Sequence, residues 1–211
     1  LLAGKREEDI FRLLGMSFIP AELREDRGEI ELALRKKLPR LLNIEDIRGD
    51  VHVHSSWSDG EASIEEMARA AGERGYAYVA VTDHSEGLKV ANGLSPGELK
   101  KKKKEIDALN KRLRGVRILF GTEVDIHSDG SLDYPDSVLK EFDLVIAAIH
   151  TGFKQSKEQL TRRIIAACRN KYVHAIAHPS GRLWGAREAY ELDYEEVLSV
   201  ARETHTSLEI N

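Results

Sequence analysis

The stretch GDVHVHSSWSDGEASIEEMARAAGERGYAYVAVTDH, residues 49–84, decides the fold of this chain. It opens with five residues typical of a strand, at 49–53, and returns to an apolar strand at 76–82. Between them, residues 63–74 have the length and polarity of a helix, and Ser63 followed by Glu66 forms a capping box that marks its start. The order strand, helix, strand predicts a βα unit of a parallel sheet.

The same alternation continues to the end of the chain. Further strands are predicted at residues 116–121, 144–149, 173–177 and 206–210, and further helices at 95–113, 157–169 and 194–203. The strands are apolar nearly throughout, as a sheet buried on both faces requires. The fold class is therefore α/β, and two architectures fit it, an open doubly wound sheet and a barrel.

Residues that bind metal ions recur at the carboxyl end of every predicted strand. An open sheet concentrates its site at one crevice, whereas a barrel carries its active site at the carboxyl ends of its strands. A ring of such residues therefore favours the barrel. In chain order they are His52, His54 and Asp59; Asp83 and His84; Glu123 and Asp125; His150; His178; and Glu209 with Asn211.

The residue types in this ring indicate the metal. Imidazole and carboxylate together suit Zn, Mn or Fe, while Mg and Ca prefer oxygen alone. His52 and His54 lie two residues apart on one strand, so both side chains point to the same face, which in a barrel is the interior. The five histidines of the ring and its carboxylates exceed the needs of one tetrahedral ion. The pattern predicts two or three divalent ions, an arrangement suited to phosphoester hydrolysis.

Two acidic residues of the ring also have a structural interpretation. Asp59 precedes Gly60, and this pair is strong turn chemistry. Asp83 could cap a helix, or orient a metal ligand without binding the metal itself. His127, His174 and His205 stand outside the ring, and we expect them to be ordinary surface or core residues.

Three further features could contact a substrate, and the first two of them also have a structural interpretation. The five lysines at residues 100–104 are typical of a solvated helix face, with contact to nucleic-acid phosphates as the alternative. Trp57 could stack on a base or sugar of a substrate, or pack at the rim of the core. Arg182 follows His178-Pro179 closely and could hold a phosphate through a forked contact.

The composition is that of an ordinary globular protein. Of 211 residues, 41% are hydrophobic and 32% charged, and the net charge of −4 gives no overall basic surface for nucleic acid. The single Cys168 excludes an intrachain disulfide and indicates a reducing cytoplasm. Since no apolar run approaches the roughly 20 residues of a membrane span, we expect no membrane contact.

Residues 1–48 differ from the rest. A short helix beginning near Glu7 is predicted to stop at Gly15, Pro20 interrupts the next segment, and a second helix at residues 29–37 precedes Pro39. This segment is interpreted as a linker with the remnant of a preceding domain. Because the sequence starts without Met and ends on a strand, we expect it to be cut from a longer chain.

The ordered motifs resemble the polymerase and histidinol phosphatase (PHP) superfamily. The resemblance covers residues 49–211 and implies a distorted barrel of seven βα units with a trinuclear metal centre, here without its last strand and helix. The matching motifs are His52-Val53-His54-Ser55 with Ser58-Asp59-Gly60, then Thr82-Asp83-His84, Gly121-x-Glu123, His150 and His178-Pro179.

The sequence is similar, more closely, to the C-terminal PHP domain of bacterial and archaeal X-family DNA polymerases. This resemblance implies that residues 1–48 are the end of the polymerase thumb with its linker. Residues 49–211 would be a phosphoesterase domain, incomplete at its C-terminus. It rests on Glu7-Glu8-Asp9-Ile10-Phe11, the segment from Phe18 to Glu25, Val81-Thr82-Asp83-His84-Ser85, the segment from Glu123 to Pro135, and Ala177-His178-Pro179.

The resemblance also implies which residues share each ion. A later Asp-x-His motif, which completes two of the sites in the family, is absent from this sequence. Catalytic roles would belong to Glu123, His84 and Asp59. The implied ligands are His52, His54 and Glu123 for one ion, Glu123, His150 and His178 for a second, and Asp59 and His84 for a third.

The activity that the resemblance implies is DNA processing in repair. It would be metal-dependent 3′-to-5′ exonucleolytic cleavage and processing of blocked 3′ ends and abasic sites. Mn or Zn would be the foremost cofactors, with Fe also compatible. The partners would be DNA and polymerase domains in the same full-length chain. Two other functions stay open: a small-molecule phosphatase of the histidinol-phosphatase type, and an inactive module that supports a polymerase.

Overall fold

The computed structural model describes residues 4–210, and its contacts divide the chain between Ile47 and Arg48. In the first unit, α1 (Glu7–Leu13) and α2 (Glu29–Leu34) flank a single 3-10 turn at Ala21–Leu23. Arg24 holds this unit together, because its guanidinium donates to the Ile19 carbonyl and lies over two aromatic rings, those of Phe11 and Phe18. Large apolar side chains remain exposed here, among them Leu13, Leu14 and Leu42.

The second unit alternates strands and helices as predicted. Each of the four helices expected from the sequence is confirmed to within one residue at either end, and Ser63 and Ser95 accept the capping bonds from Glu66 N and Glu98 N. The short α5 was not predicted. The elements are β1 (Gly49–Val53), α3 (Ile64–Glu73), β2 (Tyr78–Val81), α4 (Pro96–Arg112), β3 (Arg117–Asp125), α5 (Asp136–Leu139), β4 (Leu144–Ala148), α6 (Lys157–Cys168), β5 (Ala175–Ile176), α7 (Tyr194–Thr204) and β6 (Ser207–Leu208).

The strand order excludes the doubly wound alternative. All six strands are parallel, and each pairs with the next one in sequence, from β1 to β6. A doubly wound sheet reverses its order at a switch point, and this sheet does not. The sheet also curls, because Glu209, just after β6, reaches back to His52 in β1 with an O–N distance of 2.9 Å. The observed architecture is a partial βα barrel.

The third strand is longer than its sequence suggests. Its prediction stopped at residue 121, where Gly121, Thr122 and Glu123 break the apolar run, and this boundary is wrong. Pairing with β4 continues to Asp125, opposite Ala148. Glu123 therefore projects from within the strand toward the barrel interior, and not from a loop beyond it.

Apolar packing lies mainly between the strands and the helices that cover them. One large buried cluster joins outward-facing strand residues such as Ile118 and Val145 to helix residues such as Ile106 and Ile164. Among residues 4–210, the buried apolar side chains inside the curl form a small cluster, Ile146, Ala148 and Ala177. The interior is therefore left to polar side chains. Within residues 4–210, the helices are all too short or too polar to cross a lipid bilayer.

Candidate metal centre

The first strand carries two of the predicted ligands to one point. His52 and His54 alternate with Val53, which packs outward against the large core. Both imidazoles point inward, and their Nε2 atoms lie 3.3 Å and 3.4 Å from Oε2 of Glu123. This is the same-face geometry that the two-residue spacing predicts.

Glu123 is the centre of the arrangement. Its side chain is 1% exposed, and three more histidines from three other strand ends surround it. His84 Nδ1 lies 3.1 Å from one carboxylate oxygen, while His150 Nε2 and His178 Nε2 lie 3.3 Å and 2.8 Å from the other. The structure thus brings together all five histidines that the sequence placed in the ring.

Asp59 reaches the same region from a tight loop. Gly60 N donates to the carbonyl of Ser55, and a Cβ at Gly60 would lie 2.1 Å from the His54 carbonyl oxygen, so the loop requires glycine there. Asp59 is 43% exposed at its side chain, and its oxygens lie 3.5 Å from His54 Nδ1 and from His84 Nε2. The turn interpretation and the ligand interpretation of Asp59 therefore both fit.

Three sets of side chains, which we call donor groups, each place their ligand atoms within 4.8 Å of one another. Such mixed imidazole and carboxylate sets suit Zn, Mn or Fe. Neither His54 Nδ1 nor His84 Nδ1 makes a hydrogen bond to any described residue, although both are buried, and a bound cation would satisfy them. The donor groups are His52, His54 and Glu123; His54, Asp59 and His84; and His84, Glu123 and His150.

These groups differ from the implied ligand sets in one respect. His84, and not His178, completes the group that contains Glu123 and His150. His178 contacts Glu123 through its ring and has an unusual backbone φ of +27°, a strained conformation of the kind found at functional sites. The assignment of ligands to particular ions stays a prediction.

Electrostatics divide the histidines into two classes. Burial lowers the pKa of His52 and of His150, but the carboxylates beside them outweigh burial and raise each pKa to about 9. Burial lowers the pKa of His54 and His84, and neighbouring histidines add to that effect. Burial would raise the pKa of Glu123, yet hydrogen bonds from His150, His178 and His52 hold it far below its usual range. Glu123 is therefore a carboxylate, as a metal ligand must be.

Two carboxylates orient the histidines from behind. Asp125 Oδ1 lies 2.5 Å from His150 Nδ1, and Glu209 accepts from His178 N at 2.6 Å while its other oxygen lies 2.9 Å from His52 Nδ1. Such partners fix the tautomer and direction of a ligating imidazole. Sequence reasoning placed both residues in the ring without this role, although the alternation from Glu123 to Asp125 was the available sign.

The ligands line an open cavity of about 530 Å³ that we call the metal cavity. Phe153 and Arg187 form one part of its wall, where the Arg187 guanidinium lies 3.8 Å from the Phe153 ring centre, and Leu88, Val90 and Ala91 form another. Arg182, the predicted phosphate contact, is instead stacked 3.8 Å over exposed Trp184 and does not line this cavity. Arg187 is thus the arginine that the sequence reasoning missed, and nothing in the motifs distinguished it.

Trp57 packs at the rim of the core, which was one of its two interpretations. Its indole Nε1 donates to Glu105 at 2.9 Å, and its ring is partly buried against the large core. His127, His174 and His205 do not line the metal cavity, in agreement with their exclusion from the ring.

The lysine run is not uniformly solvated. Lys102 is fully buried and its Nζ lies 2.8 Å from Oδ2 of Asp83, whereas Lys101 and Lys104 are exposed. Asp83 is also buried, and it caps no helix; its oxygens accept from Ser55 and Ser58. Burial would raise the pKa of Asp83, but the Lys102 ammonium outweighs burial and lowers it. Asp83 therefore supports the loop between His54 and Asp59. This agrees with the interpretation that it orients metal ligands without binding the metal itself.

Comparison with known proteins identifies a matching family model and several similar sequences. A family model described as the PHP domain matches residues 50–211. The DNA polymerase/3′-5′ exonuclease PolX of Bacillus subtilis (strain 168) is 48% identical over 205 residues, which are 97% of this chain and 36% of that protein. A protein named "Probable phosphatase" from Thermoanaerobacter sp. (strain X514) is 37% identical over 169 residues, 77% of this chain and 63% of that one.

A solved structure shares the fold. Histidinol phosphate phosphatase from Lactococcus lactis, crystallised with Zn, L-histidinol and phosphate, superposes with a TM-score of 0.52 at 19% identity. The match covers 78% of this chain and 73% of that chain. At this identity the likeness concerns the architecture alone, and it agrees with a partial barrel of this type.

Proposed function

Because this chain belongs to the PHP domain family, we propose that its centre at Glu123 makes it a metal-dependent phosphoester hydrolase. The observation that carries this proposal is a buried carboxylate in contact with five imidazoles, with Asp59 at the edge of the same open cavity. Structural histidines are usually dispersed and satisfied by other side chains, whereas this set converges and leaves buried nitrogens unbonded.

The proposed cofactors are two or three divalent ions, Mn or Zn foremost, with Fe compatible with the same donors. Ions bound there would supply Lewis-acid stabilisation of phosphoryl oxygens and a nucleophilic water near neutral pH. The proposed ligands are His52, His54, Asp59, His84, Glu123, His150 and His178.

The side chains around these ligands have distinct proposed tasks. Glu123 carries its negative charge in the barrel interior, and this charge attracts cations to the surrounding imidazoles. Asp59 and His84, whose Oδ2 and Nε2 atoms lie 3.5 Å apart, would hold an ion at the solvent side of the centre, where a substrate phosphate enters, because Asp59 is half-exposed. Arg187, held by its hydrogen bond to the Gly181 carbonyl and by Phe153, can donate hydrogen bonds to a substrate phosphate at the cavity wall.

The proposed substrate is DNA. The 48% identity to a polymerase/3′-5′ exonuclease supports 3′-to-5′ cleavage, with processing of blocked 3′ ends and abasic sites in repair as its wider use. That relative is much longer than this chain, which supports polymerase domains in the same protein. Residues 1–48 would be the end of the thumb and linker. The exposed Leu13, Leu14 and Leu42 suit a segment that packs on such a domain. A cytoplasmic location stays a prediction from the single cysteine.

A second candidate is a small-molecule phosphatase. The relative named as a phosphatase, at 37% identity, favours it, and an open cavity of about 530 Å³ admits a small phosphate ester. A third candidate is an inactive module that supports a polymerase. The convergent donor groups argue against it, since an inactive site has no need of unbonded buried imidazoles.

The decisive experiment compares two substrates on the same metal-loaded protein. Manganese-loaded wild type is given a 5′-labelled single-stranded oligonucleotide or histidinol phosphate, and His52→Ala serves as the site control. A ladder of shortened oligonucleotides that EDTA and His52→Ala abolish supports the exonuclease. Release of phosphate from histidinol phosphate alone favours the second candidate. A protein that binds no Mn, Zn or Fe and is unaffected by His52→Ala would be the inactive module.

A further inference from the structure

One lysine of the run at residues 100–104 is turned into the fold. Lys102 of α4 is 0% exposed, and its Nζ donates to the carbonyls of Val81 and Gly121 at 2.9 Å and 3.2 Å. Its third partner is Asp83, at 2.8 Å. All three ammonium hydrogens thus have acceptors. Burying an ion pair in this way carries a large desolvation penalty for each ion, and an apolar residue would pack there at less cost. The buried charge of Lys102 therefore indicates a role beyond packing.

Asp83 connects Lys102 to the loop between two proposed ligands, His54 and Asp59. Its Oδ1 accepts from Ser55 N at 2.7 Å and from Ser58 Oγ at 2.8 Å, and its Oδ2 accepts from Ser55 Oγ at 2.8 Å. Ser55 and Ser58 are both buried. We call Lys102, Asp83, Ser55 and Ser58 the clamp.

Every clamp residue except Lys102 is next to a metal donor in sequence. Ser55 follows His54, and Ser58 precedes Asp59. Asp83 itself precedes His84. All three members of the donor group His54, Asp59 and His84 are therefore one peptide bond away from the clamp. Each of the other two donor groups has a single member in this position, so the clamp borders the His54–Asp59–His84 group more fully than either of them.

We propose that the clamp positions the His54–Asp59–His84 group as a preformed subsite for one divalent cation. This inference rests on the proposed metal centre, and it adds which residues hold one of its donor groups in place. Lys102 is a positioning residue, because it acts through Asp83 and touches no donor atom. Asp59 depends on it most, since the Asp59 side chain is half-exposed and its loop is anchored by the Ser58 hydroxyl.

The consequence for binding is selective. Without the Lys102 ammonium, the Asp83 carboxylate loses its buried counter-charge and its hold on Ser55 and Ser58 loosens. Loss of a partner that orients a ligand from behind typically weakens metal binding by about 10- to 100-fold. The loss should fall on one cation, while the group of His52, His54 and Glu123 keeps its ion through contacts that do not involve Lys102.

The test compares Lys102→Met with Lys104→Met. Both remove one ammonium from the same helix, but Lys104 is exposed and outside the clamp. Metal-free proteins are titrated with Mn²⁺, with free ion followed by its electron paramagnetic resonance signal and bound equivalents by elemental analysis. We expect Lys102→Met to bind one equivalent about 10- to 100-fold more weakly and the others as the wild type does. Lys104→Met should match the wild type throughout.

Two results would overturn the clamp. One is an Lys102→Met protein with wild-type affinities for every equivalent; the other is an equal loss at all of them, which indicates general damage to the fold. If Lys102→Met does not fold, because removing one partner of a buried pair is strongly destabilising, Ser58→Ala takes its place. That variant keeps the ion pair, releases the Asp59 loop and is expected to weaken the same single equivalent about tenfold. A wild type that binds no Mn²⁺ overturns the proposed function itself.

Discussion

The two faces of β3 share one backbone but differ in their side chains and in the contacts that hold those side chains. Ile118, Phe120 and Val124 point outward and are buried against the helices. Glu123 and Asp125 point inward and meet imidazoles. The outward residues are held by contacts that any apolar group of similar volume could make, because burial is non-directional. The inward residues are held by hydrogen bonds and charge, which require particular atoms at particular distances.

This difference separates stability from activity along a single strand. Outward substitutions should change the free energy of unfolding and spare the chemistry of the folded molecules. Inward substitutions should weaken metal binding and spare the fold. Three variants test this separation, in decreasing order of their predicted consequences.

The largest effect is expected from Glu123→Gln. The amide keeps the shape of the side chain but removes the charge shared by five imidazoles. Metal catalysis contributes several kcal/mol to the transition state, so hydrolysis should fall by about 1000-fold. Steady-state rates and metal content measure it, with circular dichroism to show that the helices remain. Wild-type metal content in this variant would contradict the central role given to Glu123.

Ile118→Ala tests the outward face. Ile118 is 0% exposed, and truncating a buried isoleucine leaves a cavity that costs about 2–5 kcal/mol. Urea unfolding should show this loss, while metal equivalents per folded molecule stay unchanged. Leu198→Ala, at a residue 55% exposed, is the control and should cost under about 0.5 kcal/mol. If Ile118→Ala lost its metal while still folded, the two faces would not be independent.

The smallest effect is expected from Asp125→Asn, which loosens the orientation of His150. Metal affinity or activity should fall by about tenfold. In the metal-free protein, the pKa of His150, raised to about 9 by Asp125 and Glu123 against the effect of burial, should move down toward its ordinary value. Nuclear magnetic resonance titration of the ring measures this shift. Asp129→Asn, an exposed carboxylate nearby, should change neither quantity, and an unmoved His150 would rule out the orienting role.

Local patterns predicted most of the second unit. Capping boxes at Ser63 and Ser95 located two helices, and apolar runs located all six strands, because these features depend on residues close together in the chain. The boundary of β3 was missed for the opposite reason. Glu123 looks like the end of a strand by its polarity, and only pairing with β4 shows that the strand continues.

The residue types that recur at the strand ends were legible in the sequence alone and favoured the barrel, and the ordered motifs indicated the PHP family that the family model confirms. How these residues meet became visible only in the folded chain: Arg187 and not Arg182 lines the cavity, and Lys102 is buried against Asp83 while Lys101 and Lys104 are exposed. The cause is distance along the chain. Periodicity and capping act over a few residues, whereas an ion pair between residues 83 and 102 exists only once the helix has packed on the sheet.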